Sequence, residues 1–457
     1  MMRCSFARQA MLACVGVLAA ATCLANPYET TLENGLKVIV KEDPRAPSAV
    51  NMVWYRVGAM DEIDGTSGVA HVLEHMMFKG TQEVGPGEFN KRVAKVGGRD
   101  NAFTGHDYTA YFQQVPADRL GEMMGLEADR MRHLRFADED FDKELEVVKE
   151  ERRMRTDDKP RSLVYEQLMA TAFTAHPYRR PIIGWMTDLE QMKSADARQW
   201  YRQWYAPNNA YVVVVGDVQH EQVFAEAERL YGGYKVDPLP ARRTVLEPRQ
   251  PGIRTANVRA PADLPYVMLA WRAPTLRDVE KDRDVYALQV LAAVLDGHDG
   301  ARLAKNVVRG SQVALSAGAG YDGTARGESL FIMDGTPAKG HTVEEVQQAL
   351  RGEITRIQQE GVSQEELRRV KAQAIAGQVY KRDSLMGQAM EIGMLEAVGL
   401  SWRDEPKMME MIRSVTADEV QSVAKRYFSE DSLSVATLDP LPLDDKPRPG
   451  RSAGLRH

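Results

Sequence analysis

Cysteine is almost absent from this chain: the only three, Cys4, Cys14 and Cys23, fall within the first 23 residues. The same stretch holds a long apolar run, Ala10 to Ala21, preceded by Arg3 and Arg8 and closed by Thr22-Cys23-Leu24-Ala25-Asn26-Pro27. Charge, apolar run and small residues in that order read as a secretory signal peptide, residues 1–25, cleaved after Ala25. The mature protein is then expected across the inner membrane, in the periplasm. The run is too short for a membrane span. Lipid attachment at Cys23 is the weaker alternative, because Ala20-Ala21-Thr22 matches the lipoprotein pattern poorly. A mature chain without cysteine has no disulfide, no thiolate metal site and no cysteine nucleophile.

A basic cluster is missing too. Lys and Arg number 59 against 65 Asp and Glu, a formal charge of −6 that becomes −8 once Arg3 and Arg8 are removed. Neither nucleic acid nor an anionic membrane surface finds a footprint. At 457 residues, with 44% hydrophobic and 27% charged content, the chain is too long for one simple core. Two or more domains are expected.

What the chain does have is His71-Val72-Leu73-Glu74-His75. On a helix turning about 100° per residue, His75 lies about 40° from His71 and Glu74 about 60° the other way, so all three share one face. Ser67 reads as the cap before this helix and Gly80 as its stop. Two imidazoles one turn apart can grip one metal ion, and H-x-x-E-H is a zinc-peptidase signature with a physical reason for each position. A third protein ligand is required. The acidic run Asp138 to Arg155 is the best source. Its apolar stripe is centred on Phe141, with Leu145 and Val148 close to either side of it around the helix, and Glu144 and Glu151 fall beside Val148 on the same apolar face. Glu150 lies on the opposite side and points to solvent. Carboxylates buried in such a stripe need a cation or a strong donor, and the His pair favours a metal over buried Arg or Lys.

HVLEHMMFKGT at 71–81, NAFTGHDYTAYF at 101–112 and ELEVVKEERR at 144–153 together resemble the inverted-zincin, or pitrilysin-type, metallopeptidases, above all the processing-peptidase β-subunit branch and its bacterial relatives. The resemblance implies one zinc ion per chain, held by His71, His75 and a Glu whose spacing beyond the second His falls on Glu151. A spacing one longer, as in other branches, would land on Arg152, which cannot be a ligand. Glu144 is then a supporting carboxylate behind the ligands. Zinc with two imidazoles and one carboxylate keeps a fourth position for water and lowers its pKa. Glu74 would take that water's proton as it attacks a peptide carbonyl and pass it to the leaving amine. NAFT would be an edge strand that pairs with an extended substrate through Asn101, Ala102 and Phe103; Phe103, Tyr111 and Phe112 also read as ordinary strand residues of the core.

The implied activity is that of a secreted zinc endopeptidase acting on extended peptides or unfolded segments. The alternative is a non-catalytic structural or peptide-binding subunit of the same superfamily; such subunits characteristically lose ligands or base, and this chain keeps His71, Glu74, His75 and Glu151. It departs from the active pattern elsewhere. Relatives carry an Arg with a Tyr seven residues later in the second domain, whereas Arg309 is followed at that spacing by Ser316, with Tyr321 further on. Arg309 remains the substrate-binding candidate, and a homologous subunit lacking H-x-x-E-H is expected to supply the complete pair in a heterodimer, a homodimer being the other arrangement. Nothing in the spacing of His106, His133, His176 or His220 favours ligation.

The chain also echoes itself. Residues 194–216 and 417–439 share the order helix, aromatic pair, turn, apolar strand, and VNMVWYRVGA at 50–59 parallels VMLAWRAPTL at 267–276. A repeat this long means duplicated domains. By the second offset His71, Glu74 and His75 correspond to Leu288, Leu291 and Ala292, so the second copy keeps the helix without the chemistry. We expect an α+β fold of two tandem homologous domains, each a mostly antiparallel sheet covered by helices on one side. The divisions are a catalytic metallopeptidase domain at 26–236, a Pro-rich linker at 237–265 that permits closure around a substrate, a second domain at 266–440 and a disordered tail at 441–457.

Overall fold

A computed structural model describes residues 27–443. The expected leader, residues 1–25, and the tail from 444 onward lie outside the described residues. The first half builds a sheet from β1 (Tyr28–Thr31), β2 (Lys37–Glu42), β3 (Ser48–Tyr55), β4 (Arg99–Thr104), β5 (Thr109–Pro116) and β6 (Ala210–Gly216), in the order β1-β2-β6-β3-β5-β4. The second half builds another from β7 (Arg254–Pro261), β8 (Tyr266–Ala273), β9 (Ala314–Tyr321), β10 (Ser329–Pro337) and β11 (Leu433–Leu441), in the order β7-β11-β8-β10-β9. From the parallel pair onward the two orders correspond strand for strand, the first sheet adding β1 at its edge. Among the described residues the only parallel pair in each is the equivalent one, β2 with β6 and β7 with β11, and Trp54 and Trp271 sit on the equivalent central strands. The helix Arg283–Asp296 occupies the place of Val69–Met76, with Leu288 and Leu291 fully buried where the first copy has His71 and Glu74.

Helices of each half cover one face of its sheet, as the composition leads one to expect. The opposite face is covered as well, by a helix lent from the other half. Tyr211-Val212-Val213-Val214-Val215 is buried along its whole length: Val212 and Val214 face the first half's own helices, whereas Tyr211, Val213 and Val215 pack on Ala389 and Ile392 of the helix Leu385–Ala397. A continuous apolar run is what a strand buried on both faces requires. Gly393 of that helix lies so close to Trp54 that an added Cβ would collide with the indole. In exchange, the helix Pro160–Ala172 from the first half places Val164 and Leu168 against Tyr266 and Met268 of the second sheet. The halves are thus interlocked.

The linker expected at 237–265 is much shorter. Arg254–Pro261 forms β7, whose alternation buries Val258 and Ala260 against β11 under a sequence otherwise dominated by Arg and Pro. Upstream, the buried Glu247 carboxylate accepts the backbone N–H groups of Thr174, Ala175 and His176. β11 extends to Leu441, one residue into the expected tail.

Candidate metal centre

The helix Val69–Met76 starts at Gly68, whose φ of +89° suits glycine and whose close approach to Gly184 leaves no room for a Cβ. Ser67 does not cap it. Its hydroxyl donates to Asp188 instead, and the cap comes from Glu62, whose buried carboxylate accepts Gly68 N and Ala70 N, each at 2.9 Å. Burial raises the Glu62 carboxyl to about 8, against the pull of these two N–H groups, so the cap acts by satisfying free backbone donors of the first turn rather than by a full charge. Val72, Leu73 and Met76 are buried in the core, which fixes the rotation of the helix and leaves His71 and His75 half-buried at its cavity face.

The second helix, Asp138–Arg152, buries Phe141, Leu145 and Val148, and that stripe carries Glu144 and Glu151 to the same cavity. Glu151 Oε2 lies 3.3 Å from His75 Nε2 and 3.9 Å from His71 Nε2. Donors at ~2.0–2.1 Å from a tetrahedral zinc are ~3.3–3.4 Å apart, so the His75–Glu151 spacing already fits and the His71–Glu151 spacing has about half an ångström to close. The chemistry agrees, being two imidazoles and one carboxylate with all three donor atoms within 4.8 Å of one another. Arg152 turns away, bound to Glu166 and to the Gly184 carbonyl. Glu150 is exposed and pairs with Arg153.

Glu144 stands behind His75: its Oε2 is 3.2 Å from His75 Nδ1 and its Oε1 is 2.5 Å from Lys79 Nζ. A carboxylate on Nδ1 fixes the tautomer that directs the Nε2 lone pair at the cavity. Burial and the neighbouring His75 push His71 down to about 4, keeping it neutral. Burial also opposes charge on His75, but Glu144 and Glu151 outweigh it and raise it to about 9. Glu151, despite its own burial, is held down at about 2 by His75, His71 and Arg155. The two carboxylates therefore favour a cation at this point, and a metal would compete with the His75 proton.

Glu74 is buried beside the ligands and its Oε2 accepts the Thr104 hydroxyl at 2.5 Å. Burial raises its pKa, against the pull of Thr104 and His75. Thr104 ends β4, the terminal strand of the sheet, which pairs with β5 alone. Asn101, Ala102 and Phe103 lie on that strand and line the cavity, about 1560 Å³, that contains the His pair. Phe103 also packs edge-on against Trp54, so it serves the core as well. Directly after Glu151 and Arg152 the backbone widens into a π-helical turn, Arg153–Asp157, a feature frequent at functional sites, and Arg155 returns from it to hold Glu151 Oε1 at 2.6 Å.

Arg309 is not brought to this site. It is exposed at the end of the turn Leu303–Gly310 and donates to the Asp299 carbonyl, while among the described residues the cavity is lined by those between 71 and 183. Ser316 and Tyr321 are engaged by Thr336 and the Pro274 carbonyl. Among the remaining histidines, His106 lines the cavity and His220 lies within reach of Glu42 and Glu221. There Glu42 accepts both the backbone N–H and Nδ1 of His220, a helix cap at the surface. No sequence signal points to Glu62; Lys79 and Thr104 lie inside the quoted stretches HVLEHMMFKGT and NAFT, and Arg155 closes the acidic run, but nothing in the sequence gives these three their roles.

A duplicated α+β fold with H-x-x-E-H on one helix and an inward carboxylate on a later one defines the pitrilysin-type class of metallopeptidase folds. Residues 37–185 match the family described as Insulinase (Peptidase family M16), and residues 191–374 match the Peptidase M16 inactive domain, the half in which Leu288, Leu291 and Ala292 replace the motif. The chain belongs to the M16 peptidase family. It is 30% identical over 422 residues to Zinc protease PqqE of Helicobacter pylori, covering 90% of this chain and 92% of the relative. Identity to "Uncharacterized zinc protease YmxG" of Bacillus subtilis is 25%, covering 90% and 97%. The crystal structure of a protease from Helicobacter pylori superimposes with a TM-score of 0.85 at 28% identity, over 91% of this chain and 100% of that one. The periplasmic protease PqqL from Escherichia coli shares the fold, with a TM-score of 0.77 at 18% identity, over 90% of this chain and 47% of that one.

Proposed function

We propose that this chain is a zinc-dependent endopeptidase that hydrolyses extended peptides or unfolded polypeptide segments, with His71, His75 and Glu151 holding one zinc ion and Glu74 as general base. The observation that carries the reading is the convergence of both Nε2 atoms on Glu151 Oε2, with Glu74 alongside and a terminal strand in the same cavity. Zinc in such a site polarises a carbonyl and brings the pKa of water towards neutrality. The chain's own residues do the rest. Thr104 fixes Glu74 Oε2, and the Glu74 carboxylate takes a proton from the attacking water and returns it to the leaving amine. β4 offers backbone donors and acceptors to an extended peptide, with Asn101, Ala102 and Phe103 along it, and a folded loop cannot pair there without opening. The strand that receives the peptide also carries the hydroxyl that orients the base. Glu144 fixes His75, so Glu144→Ala is expected to weaken zinc binding by about 10- to 100-fold, read by competition with a chromophoric chelator; unchanged affinity would remove that role.

Arg309 lies away from the cavity and is followed at the family's spacing by Ser316 instead of Tyr, which supports a working unit completed by a homologous subunit lacking H-x-x-E-H, or by a second copy of this chain. The apolar N-terminal stretch supports export to the periplasm, and among the described residues no helix is long and apolar enough to cross a membrane. The test is cleavage of a quenched-fluorescence peptide library by the mature chain, alone and with such a subunit, before and after chelation. Chelator-sensitive cleavage, weak alone and enhanced by the subunit, is expected; full activity alone would discard the partner, and cleavage indifferent to chelation would discard the metal mechanism.

A further inference from the structure

The second half has no ligand in the cavity, yet it reaches the segment that orients Glu74. The β9–β10 connection carries Arg326 and is held rigidly from its own side: Arg277 donates to the carbonyls of Ala325 and Arg326, and Thr275 to that of Gly327. From there the Arg326 guanidinium crosses to the first half and takes both oxygens of Asp61, whose side chain is buried, at 2.8 and 3.0 Å. Its backbone N–H donates to Asp107 Oδ2 at 3.0 Å, and Gly327 N donates to Tyr178 Oη, which itself donates to Asp107. Gly327 admits nothing larger, because a Cβ there would collide with the His176 ring.

These contacts close a ring around the turn that joins β4 to β5. Asp61 ends a short helical turn whose Ala59 and Met60 N–H groups donate to the carbonyls of Gly105 and His106. Asp107, on the same hairpin, is bound to Arg326 from the other side. Thr104, whose hydroxyl holds Glu74, immediately precedes this hairpin. Gly58 allows the close approach, since a Cβ there would collide with the Gly105 carbonyl. A buried carboxylate with a bidentate guanidinium partner is directional as well as strong.

We infer that Arg326 is a positioning residue, through which the half without ligands fixes the β4–β5 hairpin and, by way of Thr104, the orientation of Glu74. The inference rests on the reading of Glu74 as base, so its test has one arm that needs no hydrolysis. In the full chain, Arg326→Ala is expected to speed amide hydrogen exchange over residues 105–109 while leaving β6 unchanged, with zinc content retained. In the same protein kcat should fall by roughly 10- to 100-fold, since misplacement of about 1 Å at a reacting group costs on that order, with KM within about twofold. Arg326→Lys, which keeps the charge but loses the fork, should recover part of both changes. Asp61 keeps a second partner, Arg242 Nε at 2.9 Å, which limits the damage of the substitution; if Arg326→Ala still fails to fold, Asp61→Asn breaks the same contact without changing shape. Unchanged exchange at the hairpin, or exchange that rises equally in β6 with loss of zinc, overturns the inference. A wild-type chain that hydrolyses nothing would fell the peptidase reading, and the exchange arm would still decide the tie.

Discussion

Glu74→Gln is expected to keep its zinc and lose about 10²- to 10⁴-fold in kcat, the range general-base catalysis contributes. The substitution preserves shape, and an amide can still bond with Thr104, so the helix and the facing strand have no cause to move. What it removes is the capacity to accept a proton from water beside the metal. Burial already places the Glu74 carboxylate above its ordinary range, which brings it nearer the proton affinity a base needs at neutral pH. Steady-state hydrolysis with parallel zinc analysis measures both halves of the expectation. Undiminished turnover with zinc in place would assign the proton transfer to another group; zinc lost together with activity would make Glu74 a ligand.

Glu151→Ala should do the reverse at the metal. Removing a proposed direct ligand is expected to cost more than the roughly 10- to 100-fold in affinity typical of an outer carboxylate, and activity at limiting zinc should vanish with it. His71→Ala should behave alike. Global unfolding is not the expected cause, because His75 keeps its Glu144 partner when Glu151 is removed, and the other pair lost is to Arg155, 75% exposed, where ion pairs contribute little to stability. Glu151→Gln, with the shape retained, separates loss of ligand charge from loss of packing. Equilibrium dialysis against buffered zinc, with thermal unfolding of the metal-free proteins, measures both effects. A Glu151→Ala chain that binds zinc like the wild type would break the proposed ligand set.

Much of this centre is legible in the sequence because its parts are periodic. Helical spacing alone puts His71, Glu74 and His75 on one face, and the stripe of Phe141, Leu145 and Val148 turns Glu144 and Glu151 inward. The structure places Glu144 on Nδ1 of His75 and Glu151 before both Nε2 atoms. The duplication is legible through Trp54 and Trp271, which reflect equivalent strands. Contacts without a period leave no trace. Glu62 caps the motif helix from upstream of Gly68, where local composition points to Ser67. The exchange of helices between the halves, the strand hidden in the supposed linker and the Arg326–Asp61 pair, distant in sequence, all depend on tertiary pairing. Arg309 rests on the likeness of its motif alone, and its exposed position shows how little a single residue specifies when its spacing partner is missing.

The most direct test of the account is zinc-edge X-ray absorption on the full mature chain purified without added metal chelator. One zinc per chain is expected, with nitrogen and oxygen donors at about 2.0–2.1 Å, a two-imidazole signature and no sulfur. A chain that retains no zinc, or whose zinc spectrum is unchanged when His71 and Glu151 are both replaced, would contradict it.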